Sequence, residues 1–480
     1  MKRKSVESVK TLLVLVLFIA MMMLALIYVL ELRQSRLKGQ NIPFDKMWIF
    51  RNEENALADS MARADLVMPE FIGFRNSMGR MAGVSGDSET VKTLYKQIAP
   101  HIGRYIGSGY RCTLLEHEEG AARWLEAKTA SRFIYIKYHS ELPSALIHMF
   151  SSEETLSSPG AIAEGEVFFL SELFLTIGDR GVTTVLAKGS GGYAEFSPSE
   201  ADNELFFDLS LLDAYTGSRN LVPFSFHEGH SFVSETAYVS SRQPSAYRLH
   251  IEPGHSQSLR EEGETNANLL RLFGFNPELV SQYSEPNGSV VYVSTEARME
   301  MTQDGQILYT ANDGNGIAFE NLFHYGPGSG VYDVYESIKS VVSLAESLYG
   351  SRYMLWNSGY LLITGIRTEA DGAITLDLDL FYDNILLYFG QDRHAASFTF
   401  RDGRILHASL DAFAFSLSER RETVVSSEWI LRNADPAMMG EGSTMSLLYD
   451  VSDKNSSSSI SVCWAFRRVG ADGEGSDELE

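Results

Sequence analysis

Cysteine is almost absent from this chain, with 2 in 480 residues, Cys112 and Cys463. That scarcity excludes a disulfide-dense secreted scaffold. Both cysteines sit in apolar, strand-like contexts, which favours two separate buried thiols over the alternative of one long-range disulfide. Positive charge is also scarce: 40 Lys and Arg stand against 63 Asp and Glu, a formal charge of −23. A field of that sign repels nucleic acid and anionic lipid headgroups, which argues against nucleic-acid binding or a membrane-surface role.

Catalytic signatures are missing as well. His227-Glu228-Gly229-His230 lacks the four-residue histidine spacing of a zinc-protease helix, and its glycine disfavours a helix. Its histidines at i and i+3 could share a metal with His250 or His255, but loop or core histidines are the plainer reading, so no metal or cofactor is expected. No Gly-x-Ser-x-Gly elbow occurs. Gly189-Ser190-Gly191-Gly192-Tyr193 and Gly326-Pro327-Gly328-Ser329-Gly330 have the wrong spacing, and their glycines read as turns. Asp377 and Asp379 share one face of a strand, which suggests a carboxylate dyad; in so acidic a chain, a solvated sheet face is the simpler expectation. No catalytic residue is assigned, and no enzyme activity is expected.

What the chain does have is a long apolar run near its start, Leu12–Leu30, without charge, proline or glycine. As a helix it spans about 28 Å, close to the hydrocarbon thickness of a bilayer. It ends in Ile27-Tyr28-Val29-Leu30-Glu31, with no small-x-small cleavage site, so an uncleaved anchor is expected rather than a signal peptide. Lys2, Arg3, Lys4 and Lys10 precede it, whereas Arg33, Arg36 and Lys38 follow. The balance leans towards a cytoplasmic N-terminus and an extracytoplasmic bulk in a single-pass cell-membrane protein. Ala20, Met21 and Ala25 offer a small, adaptable surface where a second transmembrane helix can pack.

The remainder is too long for one ordinary core. The expected fold class is α+β, with helix-plus-antiparallel-meander modules in a multi-domain ectodomain. A cytoplasmic tail (1–11), the transmembrane helix (12–30) and a linker (31–44) lead into a first ectodomain (45–218). That ectodomain opens on a strand candidate, Asp45 to Phe50. Its helix around Glu89–Ile98 is stopped by Pro100 and Gly103, and a hairpin turns at Gly178-Asp179-Arg180-Gly181. A second α+β domain (219–318) reads as a helix, Glu264–Phe273, capped by Gly274 and followed by a meander. A third (328–469) repeats the plan with a helix at Val331–Leu348, strands turning at Asp402-Gly403, and a further helix at Glu422–Leu431. Residues 470–480 form an acidic tail.

Several of these runs together resemble the YycH/YycI accessory proteins of Gram-positive bacteria, the longer YycH type above all. The resemblance is carried by the basic opening before a single anchor, by Leu269-Leu270-Arg271-Leu272-Phe273-Gly274-Phe275-Asn276-Pro277, and by Glu285-Pro286-Asn287-Gly288. It continues through Phe381-Tyr382-Asp383-Asn384-Ile385 and Asp402-Gly403-Arg404-Ile405 to the tryptophan-bearing Ser461-Val462-Cys463-Trp464-Ala465-Phe466-Arg467. Val462 and Cys463 depart from it, standing where that family carries a proline. The resemblance covers the anchor and residues 264 to 468 and makes the third domain YycI-like. It implies a non-catalytic regulator of the WalK (YycG) sensor histidine kinase of cell-wall metabolism, acting by protein contact with the kinase and a YycI-type membrane protein. An extracytoplasmic cell-wall enzyme or a ligand-binding module is the alternative.

Overall fold

The computed structural model describes residues 66–85, 88–106, 110–151, 168–178, 181–198, 209–217, 221–226, 238–251, 260–261, 263–312, 316–318, 334–350, 359–390, 393–433, 443–452 and 459–468. The expected anchor, its packing residues Ala20, Met21 and Ala25, the linker, the Asp45–Phe50 strand and the acidic tail lie outside them. Among the described residues no helix is long and apolar enough to cross a membrane. What they form is an α+β protein of two large sheets.

The first sheet has eight strands: β1 (Pro69–Arg75), β2 (Met81–Val84), β3 (Tyr110–Leu115), β4 (Phe133–Pro143), β5 (Phe169–Gly178), β6 (Gly181–Gly189), β7 (Gly192–Pro198) and β8 (Val222–Pro223). Their order is β3-β7-β6-β5-β4-β1-β2-β8. The expected hairpin is present, with Gly178 opposite Gly181. Alternation along β4 sends Ile134 and Ile136 to one face and Phe133 and Tyr135 to the other. Helices α1 (Ser88–Ile106) and α3 (Ser144–Ser151) supply Val91, Tyr95, Ile98, Leu146 and Ile147 to the core that holds the isoleucines. Helix α2 (His117–Thr129) brings Trp124 to an aromatic cluster with Phe71, Phe133, Tyr135, Phe174 and Tyr193. Contrary to expectation, α1 does not stop at Pro100 but runs to Ile106. Ile102 and Tyr105, both buried, continue its apolar face, and their burial outweighs the backbone bond that the proline removes.

After α4 (Leu209–Gly217), short strands β9 (Ser225–Phe226) and β10 (Tyr238–Val239) pair, and β11 (Ser245–Ile251) follows. Helix α5 (Glu264–Leu272) then precedes β12 (Ser281–Ser284), β13 (Val290–Val293), β14 (Ala297–Met301), β15 (Gln306–Ala311) and β16 (Ile317–Ala318). Gly274 closes α5 as expected, at a φ of 76°, a conformation that disfavours any side chain. Helix α6 (Val334–Gly350) opens the second round, with β17 (Gly359–Thr368), β18 (Ile374–Tyr382), β19 (Ile385–Tyr388), β20 (Ala396–Arg401) and β21 (Arg404–Asp411). The two meanders meet through their last strands, β15 against β21, and so share one 12-stranded sheet.

Strand β22 (Phe415–Thr423) occupies part of the stretch expected to be helical, and helix α7 begins later (Ser427–Asn433). Backbone pairing explains the shift: Ala246 of β11 lies opposite Glu422, and Arg248 holds that carboxylate at 2.7 Å. The Ser426 hydroxyl then accepts the Trp429 N–H at 3.3 Å and caps the helix. Strands β23 (Ser443–Asp450), β24 (Ser459–Ile460) and β25 (Val462–Arg468) complete the chain. Strand β24 lies on β11, and β23 runs parallel to β19 with β25 at its far side. The two cysteines form no disulfide, as expected, but neither is buried: Cys112 is half-buried, while Cys463, on the terminal strand of its sheet, is exposed.

Buried polar groups join the two sheets. Asn384, at the left-handed turn after β18, donates to the carbonyls of Pro69 and Glu70 at 3.0 and 3.1 Å. Its own carbonyl oxygen accepts the Tyr360 hydroxyl at 3.1 Å and lies 3.1 Å from His139 Nε2. Beside it Lys137 Nζ meets Glu70 Oε2 at 2.9 Å and the Met445 carbonyl at 3.4 Å. Both partners of that ion pair are buried. Replacing Lys137 with Met strands the Glu70 carboxylate and is expected to cost about 3–5 kcal/mol in denaturant unfolding. The double substitution Lys137→Met/Glu70→Leu should recover most of that loss; a double variant as unstable as the single one refutes the pairing.

Candidate functional site

The acidic pair on β18 is where the structure departs most from a solvated sheet face. Asp377 is 1% exposed and Asp379 8%. Residues i and i+2 share a face, so Thr375, Asp377 and Asp379 form one polar row while Leu376, Leu378 and Leu380 point the other way. A carboxylate in such a place is stable only if it is paired and hydrogen-bonded. The neighbouring strands provide this. Arg367 of β17 reaches Asp377 Oδ2 at 2.5 Å, and Ser397 of β20 donates to its Oδ1 at 2.6 Å.

Asp379 is satisfied differently. A bulge in β17 between Ile363 and Gly365 leaves Thr364 without a strand partner, and its hydroxyl donates to Asp379 Oδ2 at 2.7 Å. His394 Nδ1 lies 2.9 Å from the same oxygen, and the Ala395 N–H donates to Oδ1 at 3.1 Å. His394 Nε2 stands 3.8 Å from Asp377 Oδ2, so one imidazole bridges both carboxylates. Burial works against the charged imidazolium. The hydrogen bond to Asp379 and the charges of Asp379 and Asp377 outweigh it, and Arg367 opposes them only in part, so the His394 pKa is raised.

The next residue back ties this cluster to the seam between the two meanders. Arg393 grips Asp411 of β21 with Nε at 2.7 Å and Nη2 at 3.1 Å, and Nη2 lies 3.5 Å from Asp304 in the turn between β14 and β15. The Asp411 N–H donates to the Ala395 carbonyl at 2.8 Å, and the Ala412 N–H to that of Gly305 at 2.7 Å. Residues 393–395 are thus a strap across β18, β21 and the first meander. The arrangement is not a hydrolytic relay: Ser397 donates to a carboxylate rather than to His394, which a Ser–His–Asp mechanism requires.

Of the other residues singled out in the sequence, His227, Glu228, His230 and His255 lie outside the described residues. His250 is on β11, between Ser416 and Ser459. Among the described residues no group of three or more His, Cys, Asp and Glu is placed to hold a metal ion. Gly189 and Gly192 close the β6–β7 hairpin, as a turn reading expects. Sequence inspection did not find the strap, whose Arg393 and His394 precede a strand without any periodic signal. It also missed an apolar patch where α7 meets β25. There Trp429 is 54% exposed and Val425 is exposed beside it, while Trp464 Nε1 donates to the Val425 carbonyl at 2.9 Å.

Two outcomes follow from these packings. A methyl group on Gly365 would sit 2.8 Å from Asp377 Oδ2, so Gly365→Ala is expected to destabilise by about 1–3 kcal/mol in thermal or denaturant unfolding. Unchanged stability would mean that the bulge does not hold the pair. On α6, burial pushes the Glu346 carboxyl up to about 7, with Lys92 opposing. A folded-state value above the unfolded one adds stability below the ordinary carboxylate range, and that stability is lost as pH rises towards 7. Glu346→Gln should therefore stabilise the protein at pH 8 by up to about 3 kcal/mol while changing little at pH 4, read by melting temperature against pH.

No protein-family model matches the chain, and no curated protein matches it. Its fold is similar to that of the crystal structure of YycH from Bacillus subtilis, with a TM-score of 0.50 at 10% sequence identity, over 85% of this chain and 95% of that one.

Proposed function

We propose that this protein is a membrane-anchored, extracytoplasmic accessory regulator of a WalK-type sensor histidine kinase, working by protein contact alongside a YycI-type membrane protein. The observation that carries the reading is the YycH-like fold, which extends over nearly the whole of the solved YycH chain. The apolar run Leu12–Leu30 supports a single-pass anchor, the basic residues before it lean the N-terminus towards the cytoplasm, and the net charge of −23 suits a chain that approaches neither nucleic acid nor anionic lipid. In this reading the protein is not an enzyme, and the buried carboxylates of β18 serve structure rather than turnover.

Two surfaces are suited to contact. In the bilayer, helices associate by close packing, and Ala20, Met21 and Ala25 form the proposed face towards the kinase helices. Outside, the Trp429 patch exposes the side-chain type most often found at the energetic centre of protein interfaces.

Replacing Leu12–Leu30 with a plain leucine helix of equal length, at equal protein level, should alter transcription of a kinase-controlled cell-wall gene. Unchanged output would confine recognition to the ectodomain, where Trp429→Ala should then weaken co-purification with the kinase. Unaltered transcription and co-purification in both variants would defeat the proposal. Protease added to intact protoplasts should digest the bulk of the chain, and protection of that bulk would overturn the assigned orientation.

A further inference from the structure

The strap at residues 393–395 holds together three things that are distant in sequence, and its middle residue is the one side chain there that changes charge near neutral pH. We propose that His394 is a proton-operated latch, fastening the strap to β18 and thereby closing the seam between the two helix-plus-meander modules. The inference does not depend on the identity of any partner.

Charge bookkeeping around the imidazole supports this. It faces Asp377 and Asp379 on β18, Arg367 on β17, and the uncharged hydroxyls of Thr364 and Ser397. Arg367 also approaches Glu369 at 3.7 Å. On the strap itself Arg393 is committed to Asp411, with Asp304 beyond it. Two buried carboxylates therefore meet one guanidinium, and a protonated His394 supplies the second positive charge. Loss of that proton leaves one net negative charge in a place where burial makes it costly. The hydrogen bond from Nδ1 to Asp379 survives in the neutral ring, but the attraction of the ring to both carboxylates does not.

The side chain of His394 is 29% exposed, enough for solvent protons to reach it without unfolding. What it holds is mechanically connected. The Ala395 N–H bonds to Asp379, the Ala395 carbonyl takes the Asp411 N–H, and Asp411 lies opposite Gln306 in the β15–β21 seam. Because its folded-state pKa lies above the ordinary histidine value, the latch is fully closed in acid and opens as pH rises through the folded value. In an envelope protein such a device loosens the seam under alkaline conditions and tightens it under acid ones.

Hydrogen–deuterium exchange on the purified full-length chain tests this, with protection factors corrected for intrinsic exchange. Peptides covering residues 393–412 should lose protection by about threefold or more relative to α2 and β5 between pH 5.5 and 8.5. His394→Gln should abolish that pH dependence. Asp377→Asn, which removes the charge that the proton balances, should keep the strap protected at the alkaline end. A pH response in His394→Gln equal to that of the parent chain overturns the proposal. So does a strap in Asp377→Asn that loosens with pH as the parent does.

Discussion

Everything in this molecule hangs on a buried polar junction between two sheets. The Asn384 turn hydrogen-bonds to the backbone of β1, and the Glu70–Lys137 ion pair reaches the Met445 carbonyl of β23. Apolar contacts alone would let two sheets slide over one another, because hydrophobic attraction has no direction. Hydrogen bonds to main-chain atoms fix a single register, since any slip leaves a buried donor or acceptor unmade. The phenol of Tyr238 is drawn into the same arrangement, lying 3.3 Å from Glu70, and its ionisation is pushed well up by burial and by that neighbouring charge. First and third regions of the chain are thereby one body at this point, whatever helices precede them.

A second polar system lies deeper in the larger sheet and follows the same rule with a different outcome. The junction beside Asn384 pairs one carboxylate with one ammonium. The β18 row places two carboxylates within reach of a single arginine, and an imidazole makes up the difference. Aspartates in a core are an odd use of acidity in a chain that already carries an excess of it on its surface. They become intelligible as connectors: Asp377 takes donors from β17 and β20, and Asp379 from β17 and the strap, so the pair ties all three to β18 at once.

Much of this was legible beforehand, and the misses have physical causes. The turn glycines, the α5 cap and the paired helix-plus-meander plan were readable because each is local, set by residues a few positions apart. Asp377 and Asp379 were read to the correct shared face but assigned to water, because alternation reveals which side chains point together and not what lies opposite. Pro100 was read as a helix end by a local rule that the packing of Ile102 and Tyr105 overrode. Glu422 reads as helical from its neighbours, whereas its pairing to β11 depends on Ala246, 176 residues earlier in the chain. The strap escaped notice altogether, since three unpatterned residues carry no periodicity.

That same separation bears on how the chain is made. Lys137 and Met445 are 308 residues apart, and Glu70 and Ser446 are 376 apart. A nascent chain emerging N-terminus first exposes the first sheet long before β23 exists. Until then the Lys137–Glu70 pair has no lid, and the Pro69 and Glu70 carbonyls that will receive Asn384 have yet to meet it. Contacts so remote in sequence close late and slowly, and surfaces left uncovered meanwhile invite wrong associations. The final assembly therefore belongs to the completed polypeptide, and a truncation that spares every residue of the first sheet still deprives it of the strand that seals it.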